Sequence, residues 1–88
     1  MPRMLKIERI NGGNDGPRLH LEGRVIGPWV GVLRRTCEPD LAAGRGLALD
    51  LSHVTFLDWD AVDLLRSLRD RQVALLNCSP FVAEQLKA

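Results

Sequence analysis

The sequence predicts a small α/β domain in which helices pack against a central mixed sheet of about four strands. Segments that alternate apolar and polar residues, as strands do, are separated by segments with the apolar spacing of helices. The chain has 88 residues, of which 45% are hydrophobic and 26% are charged. That length and composition fit one core, so we expect residues 1–88 to form a single domain.

The first two elements are predicted strands joined by a turn. Residues 4–10 alternate imperfectly between apolar and polar side chains, and residues 11–17 are rich in Asn, Gly and Asp, which are typical of turns. Residues 18–25 place apolar side chains on one face and charged ones on the other. Gly27 and Pro28 end this second strand.

Residues 29–38 are predicted to form the first helix. Trp29, Val30, Leu33 and Cys37 follow the apolar spacing of a helix, and Trp29 is expected in the core. The preceding proline suits a first helical turn. Residues 39–46 are predicted to connect this helix to the next strand.

The third strand is predicted at residues 47–51, a short apolar run typical of a strand buried on both faces. Ser52 and His53 follow it, and residues 54–57 form another apolar segment. Because neighbours on an extended chain point to opposite faces, Ser52 and His53 are not expected to act together.

The clearest helix covers about residues 60–71, where Ala61, Leu64 and Leu65 form part of an apolar stripe. Asp58 or Asp60 can cap its start, because a carboxylate there accepts free backbone N–H groups. A short strand follows at residues 73–76. Ser79 is then the expected N-cap of a last helix that begins at Pro80 and ends near residue 87, which gives the order β-β-α-β-α-β-α.

The composition disfavours several classes of function. Twelve Lys and Arg residues against 11 Asp and Glu residues leave a net charge of +1, which does not favour nucleic acid or acidic membranes. The apolar runs fall far short of the roughly 20 residues that span a bilayer. Cys37 and Cys78 form no CxxC pair, and His20 and His53 have no ligand partners at helical spacing. We expect a cytoplasmic protein without a metal or cofactor.

Residues 47–68, LALDLSHVTFLDWDAVDLLRSL, resemble the signature of STAS domains, the anti-sigma-factor antagonist family. The segment LHLEGRVIGPW resembles the second strand and turn of that family, and NCSPFVAEQLK resembles its last strand and helix. The resemblance covers the chain except residues 1–16. It implies a bacterial, non-catalytic domain that docks on another protein in signal transduction and transcription regulation.

The resemblance also implies a phosphoacceptor-equivalent position. In sigma-regulatory members the loop before the second helix resembles Asp-Ser-Ser-Gly, and a partner kinase that is also the anti-sigma factor phosphorylates the second serine. Placing Asp58 on the family aspartate sets Trp59, Asp60 and Ala61 on the next three positions. Asp60 is not phosphorylatable as serine is, although its charge partly imitates phosphoserine.

We therefore expect the partner to dock at the start of the second helix. The candidate partner-binding residues are Asp58, Trp59, Asp60, Asp63, Arg66 and Ser67. The resemblance leaves two partner classes open: an anti-sigma factor, or the ATPase of an ABC-type lipid transporter that carries a small STAS subunit without phosphorylation. The sequence leaves open whether the chain forms a homodimer.

One enzymatic alternative rests on the same loop. Asp58 and Asp60 match the Asp-x-Asp-x-Thr/Val motif of haloacid-dehalogenase-type phosphatases, in which the first aspartate attacks phosphorus and magnesium binds nearby. That chemistry also needs a downstream lysine, and Lys87 is the single one present. We expect capping and partner contact from this pair rather than catalysis.

Overall fold

The computed structural model describes residues 5–11 and 16–87. Its elements follow the predicted order: β1 (Leu5–Asn11), β2 (Pro17–Val25), α1 (Pro28–Ala42), β3 (Ala48–Leu57), α2 (Trp59–Asp70), β4 (Ala74–Leu76) and α3 (Pro80–Lys87). The turn predicted between the first two strands falls largely on residues 12–15, which lie outside the described residues. The predicted α/β class is confirmed.

The sheet has the strand order β1-β2-β3-β4. β1 pairs antiparallel with β2, whereas β2 with β3 and β3 with β4 pair in parallel. Because both parallel connections advance in the same direction across the sheet, right-handed crossovers place α1 and α2 on one face. We call this the covered face and the opposite side the open face.

The third strand differs from its prediction in length and in burial. β3 is one strand of 10 residues that continues through Ser52 and His53. Its covered face carries buried Leu49 and Leu51, whereas Asp50 between them lies on the open face and is only half-buried. The prediction of burial on both faces was wrong, since the alternation of Leu and Asp is that of a strand covered on one side.

The first helix is longer than predicted, because it continues through Pro39 to Ala42. The predicted helix ended near residue 38, and a proline inside a helix removes one backbone hydrogen bond. The last turn is instead held by Asp40, which is fully buried and accepts hydrogen bonds from Arg9 of β1 at 2.8 and 2.9 Å. The helix ends at a Schellman motif, in which Gly44 with φ 70° donates its N–H to the carbonyl of Leu41.

The second and third helices form as predicted. The inner stripe of α2 is buried, with Ala61 and Leu65 at 0% exposure. Trp29 of α1 packs half-buried against the core, and the Oγ of Ser79 accepts the N–H of Val82 as the expected cap of α3. Within the described ranges, no helix is long and apolar enough to cross a membrane.

Candidate functional site

The start of α2 lies beside the start of α1. β2 and β3 run parallel, so both strands end at the same edge of the sheet, and each is followed there by a helix. The backbone N–H of Asp58 donates to the carbonyl of Val25 at 3.3 Å, which connects the two strand ends. The candidate loop is therefore packed against the turn after β2.

Asp58 is the N-cap of α2, as predicted. Its Oδ1 accepts the backbone N–H of Ala61 at 2.8 Å, which satisfies one free donor of the first helical turn. Its Oδ2 accepts the backbone N–H of Gly27 at 2.8 Å. Both oxygens of this carboxylate are thus engaged by backbone donors, and the side chain holds two turns together.

Trp59 is the first residue of α2, and 75% of its surface is exposed. Phe56, near the end of β3, is exposed at 43%. A tryptophan with so little cover stabilises the isolated fold only slightly, whereas tryptophan is enriched among the residues that dominate protein interfaces. The loop therefore presents aromatic surface beside its acidic residues.

The outer face of α2 continues this surface. Asp60, Asp63 and Ser67 are exposed, and their spacing of three and four residues places them on neighbouring turns. Arg66 lies on the flank of α2 that faces α3: it is half-buried, and its Nε donates to the carbonyl of Leu86 at 3.1 Å. We define the docking surface as Trp59, Asp60, Asp63 and Ser67, with Arg66 at its margin.

A cleft of about 290 Å³ lies between α1 and α2 and borders the docking surface. Its lining residues are Arg34, Glu38, Asp63, Leu64, Ser67, Leu68 and Arg71. Arg71 donates to Glu38 at 3.0 Å across this cleft. No motif along the chain indicates the cleft, because it arises from the packing of α1 on α2.

A second depression, of about 430 Å³, lies at the carboxyl ends of β2 and β3. It is lined by Arg24, Ile26, Thr55 and Phe56. Arg24 and Phe56 are register partners on neighbouring strands, so the cation lies beside the exposed ring. Sequence reasoning missed these residues, which become neighbours only through the pairing of β2 with β3.

The structure brings together two histidines that the sequence separates. The rings of His20 and His53 have centroids 4.9 Å apart, and His20 Nδ1 lies 3.6 Å from an oxygen of Asp50. The register of β2 with β3 shifts beside these residues, between His20 and Glu22. At such an irregularity two successive side chains can share a face.

This shift accounts for a contact between Ser52 and His53, whose Oγ and Nδ1 atoms lie 3.1 Å apart. The expectation that these two neighbours point to opposite faces was therefore wrong, since their polar atoms are in contact. Asp50 accepts the backbone N–H of Ser52 at 3.0 Å, which lowers the pKa of its carboxyl to about 2 despite partial burial. In a nucleophilic triad the acid orients the histidine that acts as the base, whereas Asp50 accepts the backbone N–H of the serine.

The residues described include no group of three or more His, Cys, Asp or Glu side chains that could hold a metal ion. Asp58 and Asp60 differ in their surroundings, since Asp58 is held by backbone donors and Asp60 is exposed to solvent. The start of α2 is an acidic surface with an exposed aromatic ring, and the backbone hydrogen bonds of Asp58 hold it in a fixed conformation.

The chain has the STAS-like architecture: a small α/β domain with a mixed four-stranded sheet and its helices on one face. Among solved structures it is similar to the anti-sigma factor antagonist SpoIIAA in its unphosphorylated form, with a TM-score of 0.72. The sequence identity is 16%, and the match covers 94% of this chain and 81% of that one. No family model and no curated protein matches the sequence. The STAS-like fold that residues 47–68 predicted is confirmed.

Proposed function

We propose that this domain is a non-catalytic interaction module that regulates a protein partner by docking through the start of α2. Trp59 is the observation that carries this proposal, because it is 75% exposed on a helical turn that Asp58 holds in place. A large aromatic group on a rigid backbone binds without the entropic cost of ordering a loop. The likeness in fold to an anti-sigma factor antagonist supports the same class of function.

The charges of the docking surface define the partner's chemistry. Asp60 and Asp63 are exposed and carry no salt bridge within the part of the chain that the structure describes. A complementary partner therefore presents basic groups around a pocket that accepts Trp59. Asp60 supplies a fixed charge at the phosphoacceptor-equivalent position, so the amount of partner, rather than modification of this residue, sets occupancy.

The likeness in fold favours an anti-sigma factor in a bacterial cytoplasm as the partner. When this domain binds the anti-sigma factor, the sigma factor is released. The ATPase of a lipid transporter is the second candidate, favoured by the absence of a serine at position 60. The phosphatase alternative loses support from Asp58, since both of its oxygens accept backbone N–H groups rather than facing a substrate.

The test is affinity capture from host lysate, with the captured proteins identified by mass spectrometry. The baits are the wild-type chain, the double variant Trp59→Ala/Asp60→Lys, and Phe81→Ala. The last is the matched control, because Phe81 is an aromatic residue exposed at 53% on α3. We expect one dominant partner with the wild type and with Phe81→Ala, and its loss with the double variant.

The identity of that partner distinguishes the two classes. An anti-sigma factor lost only from the double variant supports the regulatory function, whereas an ATPase lost in the same way assigns the domain to transport. Equal recovery by all three baits would mean that the start of α2 is only a capped helix end, and the proposal would fail.

A further inference from the structure

One edge of the sheet is formed by β1. Within the described ranges, β1 pairs with β2 alone, so its other side presents unpaired backbone N–H and C=O groups. The strand has 7 residues, which is long enough to accept a further strand. Ile7 lies on the covered face and remains half-buried at this edge.

Charges of opposite sign alternate along the exposed edge. Lys6 and Glu8 are both exposed, and their register partners on β2 are Glu22 and His20. Successive side chains of a strand point to opposite faces, and Leu5 and Ile7 lie on the covered face. Lys6 and Glu8 therefore lie on the open face. On its open face, β1 therefore carries one cation, Lys6, and one anion, Glu8, two residues apart, whereas Arg9 lies on the covered face and is paired with Asp40.

This pattern restricts how two copies of the edge can meet. Two antiparallel copies related by a two-fold axis perpendicular to the sheet keep their open faces on the same side. Opposed residues must then share a face, so the axis lies midway between the two copies of one residue. An axis at Lys6 opposes two lysines, and an axis at Glu8 opposes two glutamates. An axis at Ile7 sets each Lys6 opposite Glu8 of the partner subunit.

We propose that β1 pairs with β1 of a second copy of this chain, antiparallel about a two-fold axis at Ile7. The eight strands then form one continuous sheet, with the open faces on one side and the helices on the other. Two Lys6–Glu8 pairs fix the register, and the two Ile7 side chains cover each other. Charges of alternating sign then continue from one copy to the other on the open face, because Glu22 of β2 lies beside Lys6 of β1 within each copy.

Charge reversal tests this interface through the molar mass in solution, measured by sedimentation equilibrium over a range of concentrations. Lys6→Glu and Glu8→Lys each place like charges opposite one another twice, and each is expected to weaken the dimer about tenfold or more. The double variant Lys6→Glu/Glu8→Lys restores both pairs and is expected to dimerise as the wild type does. An equimolar mixture of the two single variants is expected to form heterodimers.

The controls change the same charge elsewhere. Arg24→Glu on the open face matches the first single variant, and Glu84→Lys on α3 matches the second; both sites are exposed, and both controls are expected to dimerise. Circular dichroism verifies that each variant is folded. The dimer does not rest on the docking function, so Trp59→Ala is also expected to leave it intact.

Two results would overturn the proposal. The first is a wild-type chain that stays monomeric at about 0.5 mM, where even weak specific interfaces associate. The second is a wild-type dimer that both single reversals leave unchanged, since a different surface would then carry it.

Discussion

The carboxylate of Asp58 accepts the backbone N–H of Gly27 at 2.8 Å, so that one side chain joins the turn after β3 to the turn after β2. The other oxygen of Asp58 caps α2. Because the two helices begin on either side of this carboxylate, their first turns are held as one unit. The exposed ring of Trp59 is attached to that unit, which favours binding with little loss of conformational freedom.

Removal of this carboxylate should destabilise the fold. We expect Asp58→Ala to lower the free energy of unfolding by about 1–2 kcal/mol, since it leaves the N–H groups of Gly27 and Ala61 without their acceptor. A loss of that size lowers Tm by about 4–8 °C per kcal/mol in a chain of this length. Asp60→Ala is the control, because an exposed aspartate in the first turn contributes only about 0.3–1 kcal/mol. Equal losses from the two variants would contradict the capping role.

Gly27 itself is required by its backbone conformation. Its φ of 53° and ψ of −130° lie in a region that glycine adopts readily and other residues rarely do. We expect Gly27→Ala to lower the free energy of unfolding by about 1–3 kcal/mol, measured by urea denaturation. Gly46→Ala is the matched control: Gly46 has no φ in the left-handed range and no atom within 4 Å of an added Cβ. A stability change within about 0.5 kcal/mol is expected for that control.

Asp40 makes the stability of the fold sensitive to acid. The two hydrogen bonds from Arg9, and less strongly the one from Arg45, hold the pKa of the Asp40 carboxyl below its usual range although burial opposes the shift. A carboxyl with a lower pKa in the folded state stabilises the fold above the unfolded pKa of about 3.9, and that contribution is lost as pH falls through the folded pKa.

We therefore expect Asp40→Asn to be less stable than the wild type by about 1–3 kcal/mol at pH 7, in urea titrations. The difference between the two proteins should shrink as the pH is lowered below about 4. Arg9 and Arg45 stay partly solvated, with side chains 44% and 59% exposed, which keeps the loss moderate. Asp63→Asn is the control, since Asp63 is exposed; a pH-independent gap for Asp40→Asn would refute this role.

The two cysteines should differ in reactivity. Burial, together with the nearby carboxylates of Asp40 and Glu38, raises the pKa of the Cys37 thiol to about 11, and Cys78 is only half-buried. The thiolate is the reactive form, so an aromatic disulfide reagent at pH 8 is expected to modify Cys78 first. Cys37 should react only after unfolding in urea. Rapid modification of Cys37 in the Cys78→Ser variant, without denaturant, would contradict its burial.

Local signals predicted α2 well, because its apolar stripe and its cap lie within a few residues of one another. The end of α1 was mispredicted, since the contact that carries the helix past Pro39 joins Asp40 to Arg9, 31 positions away. The same reason applies to His20 and His53, whose contact depends on the irregular register of β2 with β3. Propensity predicts an element's type, whereas long-range pairing decides where it ends and what it meets.

The docking surface was likewise predictable where it depends on neighbouring residues in the sequence, and not where it depends on how the helices pack. Trp59 was named as a partner-binding residue from the loop sequence, and it is exposed at 75% while the flanking Leu57 and Ala61 are buried. The position of Arg66 was not, since only the packing of α3 on α2 gives it the carbonyl of Leu86 as a partner. The cleft beside Asp63 and Ser67 likewise depends on how α1 lies on α2.

The fixed charge at position 60 gives a last prediction, on whether the partner is a serine kinase. Asp60→Ser places a hydroxyl on the exposed first turn of α2, where phosphorylation would add a charge of about −1.5 to −2 near the positive end of the helix. If the captured partner is an anti-sigma kinase, incubation with that partner and ATP is expected to phosphorylate Asp60→Ser and leave the wild type unmodified, as measured by intact mass.

Asp63→Ser is the matched control for this experiment, because it offers a hydroxyl one turn further along the same exposed helix face. Phosphate on Asp60→Ser alone would mean that the kinase active site reaches the first turn of α2, as the docking proposal requires. A partner kinase that is active on its own substrate yet transfers no phosphate to Asp60→Ser would contradict the prediction that its active site reaches the first turn of α2. The fixed charge at position 60 would then be a contact residue and not the remnant of a phosphorylation site.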